Sequence, residues 1–293
     1  MPTSQRVVHD RPSDSSEDES SETRRDDSAV PALELHDVTV AYHRRPVLYG
    51  VDLAAPEGKL IGIVGPNGAG KSTMLKAALG IVPMGGGWVK FFGKPYDEVK
   101  KRVAYVPQRE SVDWDFPVDV MDVVMMGRYG HLGVFKRPSR KDKEIARAAL
   151  EKVRMLPFAK RQISNLSGGQ QQRVFLARAL AQEGDIYLMD EPFTGVDAAT
   201  EVSIIGLLKE LRDEGKTIFV VHHDLTTAEE YFDQLVLLNM RLIAYGDTKD
   251  VFNPTLLQKT YGGKLTILHE VAEEAEKSKG KRPGAIDDDD QIR

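Results

Sequence analysis

Two kinds of apolar spacing alternate along the chain. Between Leu33 and Val40, Leu33, Leu35, Val38 and Val40 stand among polar neighbours, which predicts a half-buried strand. Val47–Leu53 and a turn at Pro56–Gly58 follow. Leu60–Val64, Val103–Val106, Ile186–Met189, Thr217–Val221 and Leu235–Leu238 are short, nearly unbroken apolar runs, and these predict buried strands. Trp88–Phe92 predicts another strand between turns at Gly85–Gly87 and Gly93, and Arg241–Gly246 a closing hairpin. Helical spacing fills the gaps: Met74–Leu79, Gln171–Gln182, Ala199–Leu211, and Arg140–Leu156 with Ile145, Ala148, Ala149, Val153 and Leu156 on one side. Strands alternating with helices predict an α/β fold. From Arg109 to Gln170 the pattern changes to a mostly helical insertion, with an apolar Met121–Met126 and a charged, solvated Lys136–Arg147.

The two ends break the pattern. Residues 1–30 are rich in Ser, Asp, Glu and Arg and cannot bury enough surface to offset ordering entropy, which predicts a disordered acidic tail. Residues 264–293 begin amphipathically and end in Asp287–Asp290, a charged tail whose last dozen residues are expected to be disordered. The folded unit is therefore expected over 31–263, with its helical subdomain near 109–178.

Composition narrows the chemistry. Of the 293 residues, 41% are hydrophobic, enough for a sizeable core. The net charge of −5 argues against a nucleic-acid partner, which calls for a basic face. With no cysteine, a disulfide, a thiolate nucleophile and a cysteine metal site are excluded. The seven His show no ligand spacing. No apolar stretch is long enough to span a bilayer and the start shows no signal-peptide core, so membrane work is expected to go through a partner.

One stretch organises the rest. Gly65, Pro66, Asn67, Gly68, Ala69, Gly70, Lys71, Ser72 and Thr73 follow a buried strand and precede a helix, the context of a phosphate-binding P-loop. Glycines let successive N–H groups curl toward phosphate oxygens, Lys71 can reach the β and γ phosphates, and the Ser72 hydroxyl can ligate Mg²⁺. Asp190 and Glu191 end another buried run, which delivers two carboxylates to the sheet edge where ligands sit. Asp190 would hold Mg²⁺ through water and Glu191 would polarise the attacking water, the plainer alternative being an N-capping pair for the next helix. Gln108, just past a strand end, can swing toward a metal-bound nucleotide. Leu166–Gln170 offers a hydroxyl and free N–H groups at a helix start, an anion site or simply a capping turn. His222 and His223 end a further strand, where either can contact the γ-phosphate. Tyr42 is a base-stacking aromatic or a strand-end Tyr packed on the sheet.

In their order, Gly65–Thr73, Gln108, Leu166–Gln170, Ile186–Glu191, Gly195–Asp197 and His223 resemble the motifs of ABC-type ATPase domains. The resemblance spans Leu33 to about Gly246 and implies a P-loop NTPase fold of ABC type, with a mixed sheet core and a helical subdomain. It implies that Tyr42 stacks on the base, that Gln108 ligates Mg²⁺ and senses the partner, that Asp190 and Glu191 are the Walker B and catalytic carboxylates, and that Asp197 is the D-loop aspartate. It makes His223 the switch histidine, because Asp224 follows directly. It further implies a head-to-tail homodimer in which Ser167, Gly168, Gly169 and Gln170 of one copy close over ATP held by Lys71 of the other. Its membrane companions would be an integral permease and, indirectly, an extracytoplasmic solute-binding protein, with this chain peripheral on the cytoplasmic face.

Ser111–Pro117, Gly127–Gly133 and Phe193–Asp197 resemble the manganese, zinc and iron importer branch. Within that stretch, Trp114 and Phe116 are either exposed contacts or core of the helical subdomain. The nearest rival is an importer of iron chelates or cobalamin. A soluble ABC ATPase acting on nucleic acid or ribosomes fits less well, because the gap between loop and signature is compact and each motif occurs once. A non-catalytic regulator is opposed by Lys71 and Glu191.

Overall fold

A computed structural model describes residues 30–43, 45–112, 114, 116–132 and 137–262. Of the tails expected from composition, residues 1–29 and 264–293 lie outside these residues. In chain order come β1 (Leu33–Tyr42), β2 (Arg45–Ala55), β3 (Leu60–Val64), α1 (Lys71–Ala78), β4 (Gly86–Phe91), α2 (Tyr96–Val99), β5 (Val103–Val106), α3 (Val120–Met126), α4 (Tyr129–Leu132) and α5 (Arg140–Lys152). There follow α6 (Gly168–Ala181), β6 (Ile186–Met189), α7 (Ala198–Asp213), β7 (Thr217–Val221), α8 (Leu225–Tyr231), β8 (Gln234–Asn239), β9 (Arg241–Asp247), α9 (Thr248–Val251) and α10 (Pro254–Tyr261).

The apolar runs form the centre. β5-β6-β7-β3-β8-β9 make one mixed sheet, parallel from β5 to β8, with β9 added antiparallel. Alternate residues face two separate cores. Ile61, Ile63, Ile186, Leu188, Phe219, Val221, Val236 and Leu238 pack toward α1 and a three-stranded antiparallel sheet, β2-β1-β4. Leu60, Tyr187, Met189, Ile218, Val220, Leu235 and Leu237 pack on the other face against α3, α5, α6 and α7. Covering both faces is why these strands lack the polar alternation seen in β1.

Several local expectations needed adjustment. The turn expected at Gly85–Gly87 is largely strand, since β4 begins at Gly86. Gly87 sits at φ 82 where a Cβ would collide with the carbonyls of His36 and Asp37, beside an irregularity in β1. The helix expected to reach Leu156 ends at Lys152, and Arg154 takes a left-handed φ of 57 shortly before Pro157. Its buried stripe is Asp142, Ala146, Ala149, Leu150 and Val153; Ala148 is exposed, so the apolar side is rotated by about one position, and Lys136–Arg147 is not solvated throughout. Asp142 is tolerated inside because Ser139 and Arg128 satisfy it. Helices that spacing did not mark are α2, α4, α8 after β7, and α9 and α10 after β9. Asn253 caps α10 by accepting from Leu256 N at 3.0 Å and Pro254 takes its first turn, a signal that was present in the sequence.

Candidate nucleotide site

Four of the parallel strands, β3, β5, β6 and β7, end at one edge, and each delivers a piece of the site there. β3 leads into Gly65–Thr73, β5 into Gln108, β6 into Asp190 and Glu191, and β7 into His222 and His223. A cleft of about 720 Å³ is lined by residues 65–73 with Gln108, Glu191, His223, Val47 and Tyr261. Gly70 holds the loop's exit at φ 93, and a Cβ there would come within 2.8 Å of Val47 O. Its left-handed turn starts α1, and a helix N-terminus behind a glycine-rich loop is an arrangement suited to a phosphate.

Lys71 is buried and folds across this loop, its Nζ donating to Gly65 O at 2.7 Å and Pro66 O at 3.0 Å. Burial lowers its pKa, and the charges of Glu191 and Asp190 oppose that shift. Ser72 Oγ donates to Asp190 Oδ1 at 2.7 Å. Asp190 is 0% exposed, and its Oδ2 has no hydrogen-bond partner among the described residues. Desolvation raises its pKa against the Ser72 bond. A hydroxyl and an unspent buried carboxylate oxygen side by side are a donor set suited to a hard divalent cation.

Glu191 sits at the mouth in a left-handed conformation, φ 54, a strained position for a non-glycine residue. Its carboxylate is held from three sides. His223 Nε2 lies 2.7 Å from Oε1, Gln108 Nε2 donates to Oε2 at 3.1 Å, and Thr194 Oγ1 donates to Oε2 at 3.3 Å. The two histidines have separate surroundings. His223 faces the cleft, while His222 is buried among Phe193, Tyr231 and Phe232, with Nε2 at 2.8 Å from Thr227 Oγ1. Burial lowers the His222 pKa to about 4, which keeps that ring neutral. Asp197 caps α7, accepting from Thr200 N at 2.8 Å.

Some sequence-marked residues do not line this cleft. Tyr42 closes β1 at 42% exposure. Ser167, Gly168, Gly169 and Gln170 start α6 elsewhere, with Ser167 N donating to Gln170 Oε1 at 3.0 Å in a capping box. Arg109 connects the two regions: next to Gln108 in sequence, it donates to Gln171 Oε1 through Nη2 at 3.1 Å and packs against Gly168. Trp114 belongs to the core, its ring 4.8 Å from Phe175 and its Nε1 donating to Arg109 O at 2.9 Å, whereas Phe116 is 58% exposed. Val47 and Tyr261 were not marked as site residues from sequence, because neither lies in a recognisable motif, and Thr194, inside the marked Phe193–Asp197 segment, was given no role there.

Comparison with known proteins decides the family. A family described as ABC transporter matches residues 48–194, half the chain. The chain belongs to the ABC transporter family. Among ABC relatives, the manganese transport system ATP-binding protein MntB of Bacillus subtilis (strain 168) is 63% identical over 80% of this chain and 94% of its own length. The zinc transport system ATP-binding protein TroB of Treponema pallidum (strain Nichols) is 56% identical over 80% and 88%. A solved ABC transporter, inward-facing and described as of metal-chelate type, superposes with a TM-score of 0.69 at 27% identity, over 78% of this chain and 88% of that one. A nucleotide-free ATP-binding cassette shares the fold, with a TM-score of 0.67 at 24% identity over 79% and 99%. As an ABC subunit the chain is a nucleotide-binding ATPase. Among the described residues no helix is long and apolar enough to cross a membrane, and no group of three or more His, Asp or Glu is placed to hold a metal ion.

Proposed function

We propose that this chain is the ATP-hydrolysing subunit of an importer for divalent metal ions, manganese, zinc or iron, working at the cytoplasmic face of the membrane on a permease. The observation that carries the catalytic part is the Glu191 carboxylate held by His223 and Gln108 at the mouth of the phosphate loop. In this reading Lys71 and the loop amides of residues 65–70 bind the phosphates, and Thr73 completes the loop. Ser72, Asp190 and Gln108 hold Mg²⁺, which supplies charge neutralisation on the β and γ phosphates. Glu191 accepts a proton from the attacking water, and His223 keeps the carboxylate aimed. Tyr42 offers its exposed ring to the base.

A single copy leaves this chemistry incomplete. Ser167–Gln170 lie away from the cleft of their own chain, which supports a head-to-tail homodimer in which they close over the partner's nucleotide. Arg109, between Gln108 and the signature helix, gives closure a mechanical route to the helical subdomain of residues 109–178 and so to the permease. The ion assignment rests on the relatives named for manganese and zinc transport, and the solute-binding protein follows from the importer reading. The transported ion is handled by those partners.

Glu191→Gln tests the assignment. It keeps shape and size but removes the base, so turnover falls by about 100-fold or more while ATP affinity stays at the wild-type level. Wild-type turnover in this variant refutes the role of Glu191. Vesicles carrying the permease with this chain, given Mn²⁺, Zn²⁺, Fe²⁺ or an iron chelate, assign the cargo; uptake of the chelate alone overturns the free-ion reading.

A further inference from the structure

One wall of the cleft comes from outside every motif. Tyr261 ends α10 and lines the cleft with residues 65–73. The helix is tied to the platform beneath the loop. Asn239 Nδ2 donates to Thr260 O at 2.8 Å, and next to Asn239, Met240 N donates to Ala69 O at 2.9 Å. Leu257 and Thr260 are buried, which fixes the helix on the sheet.

The Tyr261 hydroxyl oxygen is buried and has no hydrogen-bond partner among the described residues. The backbone of Gly65 lies against it and only partly offsets the effect of burial, which pushes the phenol up to about 12. The group is therefore a neutral O–H donor at any working pH. A buried donor without a partner destabilises a fold, so a phenylalanine would make the better wall if packing were the only demand. The hydroxyl gains when a partner enters the cleft, and the species the neighbouring amides and Lys71 are arranged to receive is a phosphate.

We propose that Tyr261 is a nucleotide-binding residue whose hydroxyl donates to a phosphate oxygen of the bound nucleotide beside Gly65. The inference rests on the reading of this cleft as the nucleotide site. The test compares wild type, Tyr261→Phe and Lys71→Ala as full chains, measuring ATP and ADP affinity by calorimetry and thermal unfolding without nucleotide. Tyr261→Phe is expected to bind about tenfold more weakly, the weight of one hydrogen bond to a charged group, while melting at or above the wild-type temperature. A lowered melting temperature shows that the hydroxyl has a protein partner and overturns the proposal. Unchanged affinity in Tyr261→Phe, with affinity lost in Lys71→Ala, overturns Tyr261 alone. If Lys71→Ala binds like wild type, the cleft itself is misread and the proposal falls with it.

Discussion

Ser72→Ala is the sharpest probe of the buried carboxylate. Asp190 is 0% exposed, and among the described residues the 2.7 Å bond from Ser72 Oγ is the side-chain bond its carboxylate receives, since Oδ2 has no partner there. Deleting that hydroxyl leaves an ionised group in the core with both oxygens unpaired. A hydrogen bond to a charged group contributes about 1.5–3 kcal/mol. For an ordered region of this size that lowers the melting temperature by about 3–12 °C. The sign with pH follows from Asp190. Burial raises its folded pKa above the ordinary carboxylate value, so ionising it costs stability as pH rises through the folded pKa. The Ser72→Ala penalty is therefore full only above that folded pKa and shrinks on acidification as Asp190 takes up a proton. Thermal unfolding of Ser72→Ala, Asp190→Asn and the double variant measures it. The double variant is expected to be more stable than the sum of the single losses predicts, by about 1.5–3 kcal/mol. Strict additivity, or a Ser72→Ala protein that melts with wild type at every pH, refutes the reasoning. Separately, the Mg²⁺ concentration needed for half-maximal turnover rises in Ser72→Ala if the hydroxyl is a metal ligand.

Other positions give independent checks. Trp114→Ala loses the Phe175 contact and the bond to Arg109 O, and is expected to cost about 2–4 kcal/mol in denaturant unfolding. Phe116→Ala, at an exposed site, stays within about 0.5 kcal/mol of wild type in the same assay and instead lowers the stimulation of ATPase activity by permease-containing membranes. Asp142 is held at a pKa of about 2, first by the Ser139 hydroxyl, then by the Ser139 amide and Arg128. A depressed carboxyl stabilises above its ordinary value of 3.8 and loses that contribution as pH falls toward 2, so the urea-midpoint difference between wild type and Asp142→Asn should narrow across that window. Ser139→Ala also removes the α5 cap, at about 1 kcal/mol.

Strand positions were legible because burial on both faces leaves an unbroken apolar run, and the cleft's loop because few backbones other than this glycine pattern can curl around phosphate. Helix boundaries were less so. Arg140–Leu156 keeps a helical spacing past Lys152, yet the left-handed Arg154 stops it, a local choice that the apolar pattern does not record. α10 was passed over although Asn253 and Pro254 marked its start, because a short helix carries too few periods to stand out.

The linear order of residues settled which groups are present: a phosphate loop with Lys71 and Ser72, a carboxylate pair at a strand end, a glutamine and a histidine each closing another strand. Periodicity carries that information because it is a property of neighbours along the chain. Folding decided which of them meet. Parallel pairing in the order β5-β6-β7-β3 turns segments more than 100 residues apart into one edge, so that His223 and Gln108 grip Glu191 while Ser167 remains elsewhere. It also put the hydroxyl of Tyr261 against Gly65, a contact that no spacing in one dimension encodes.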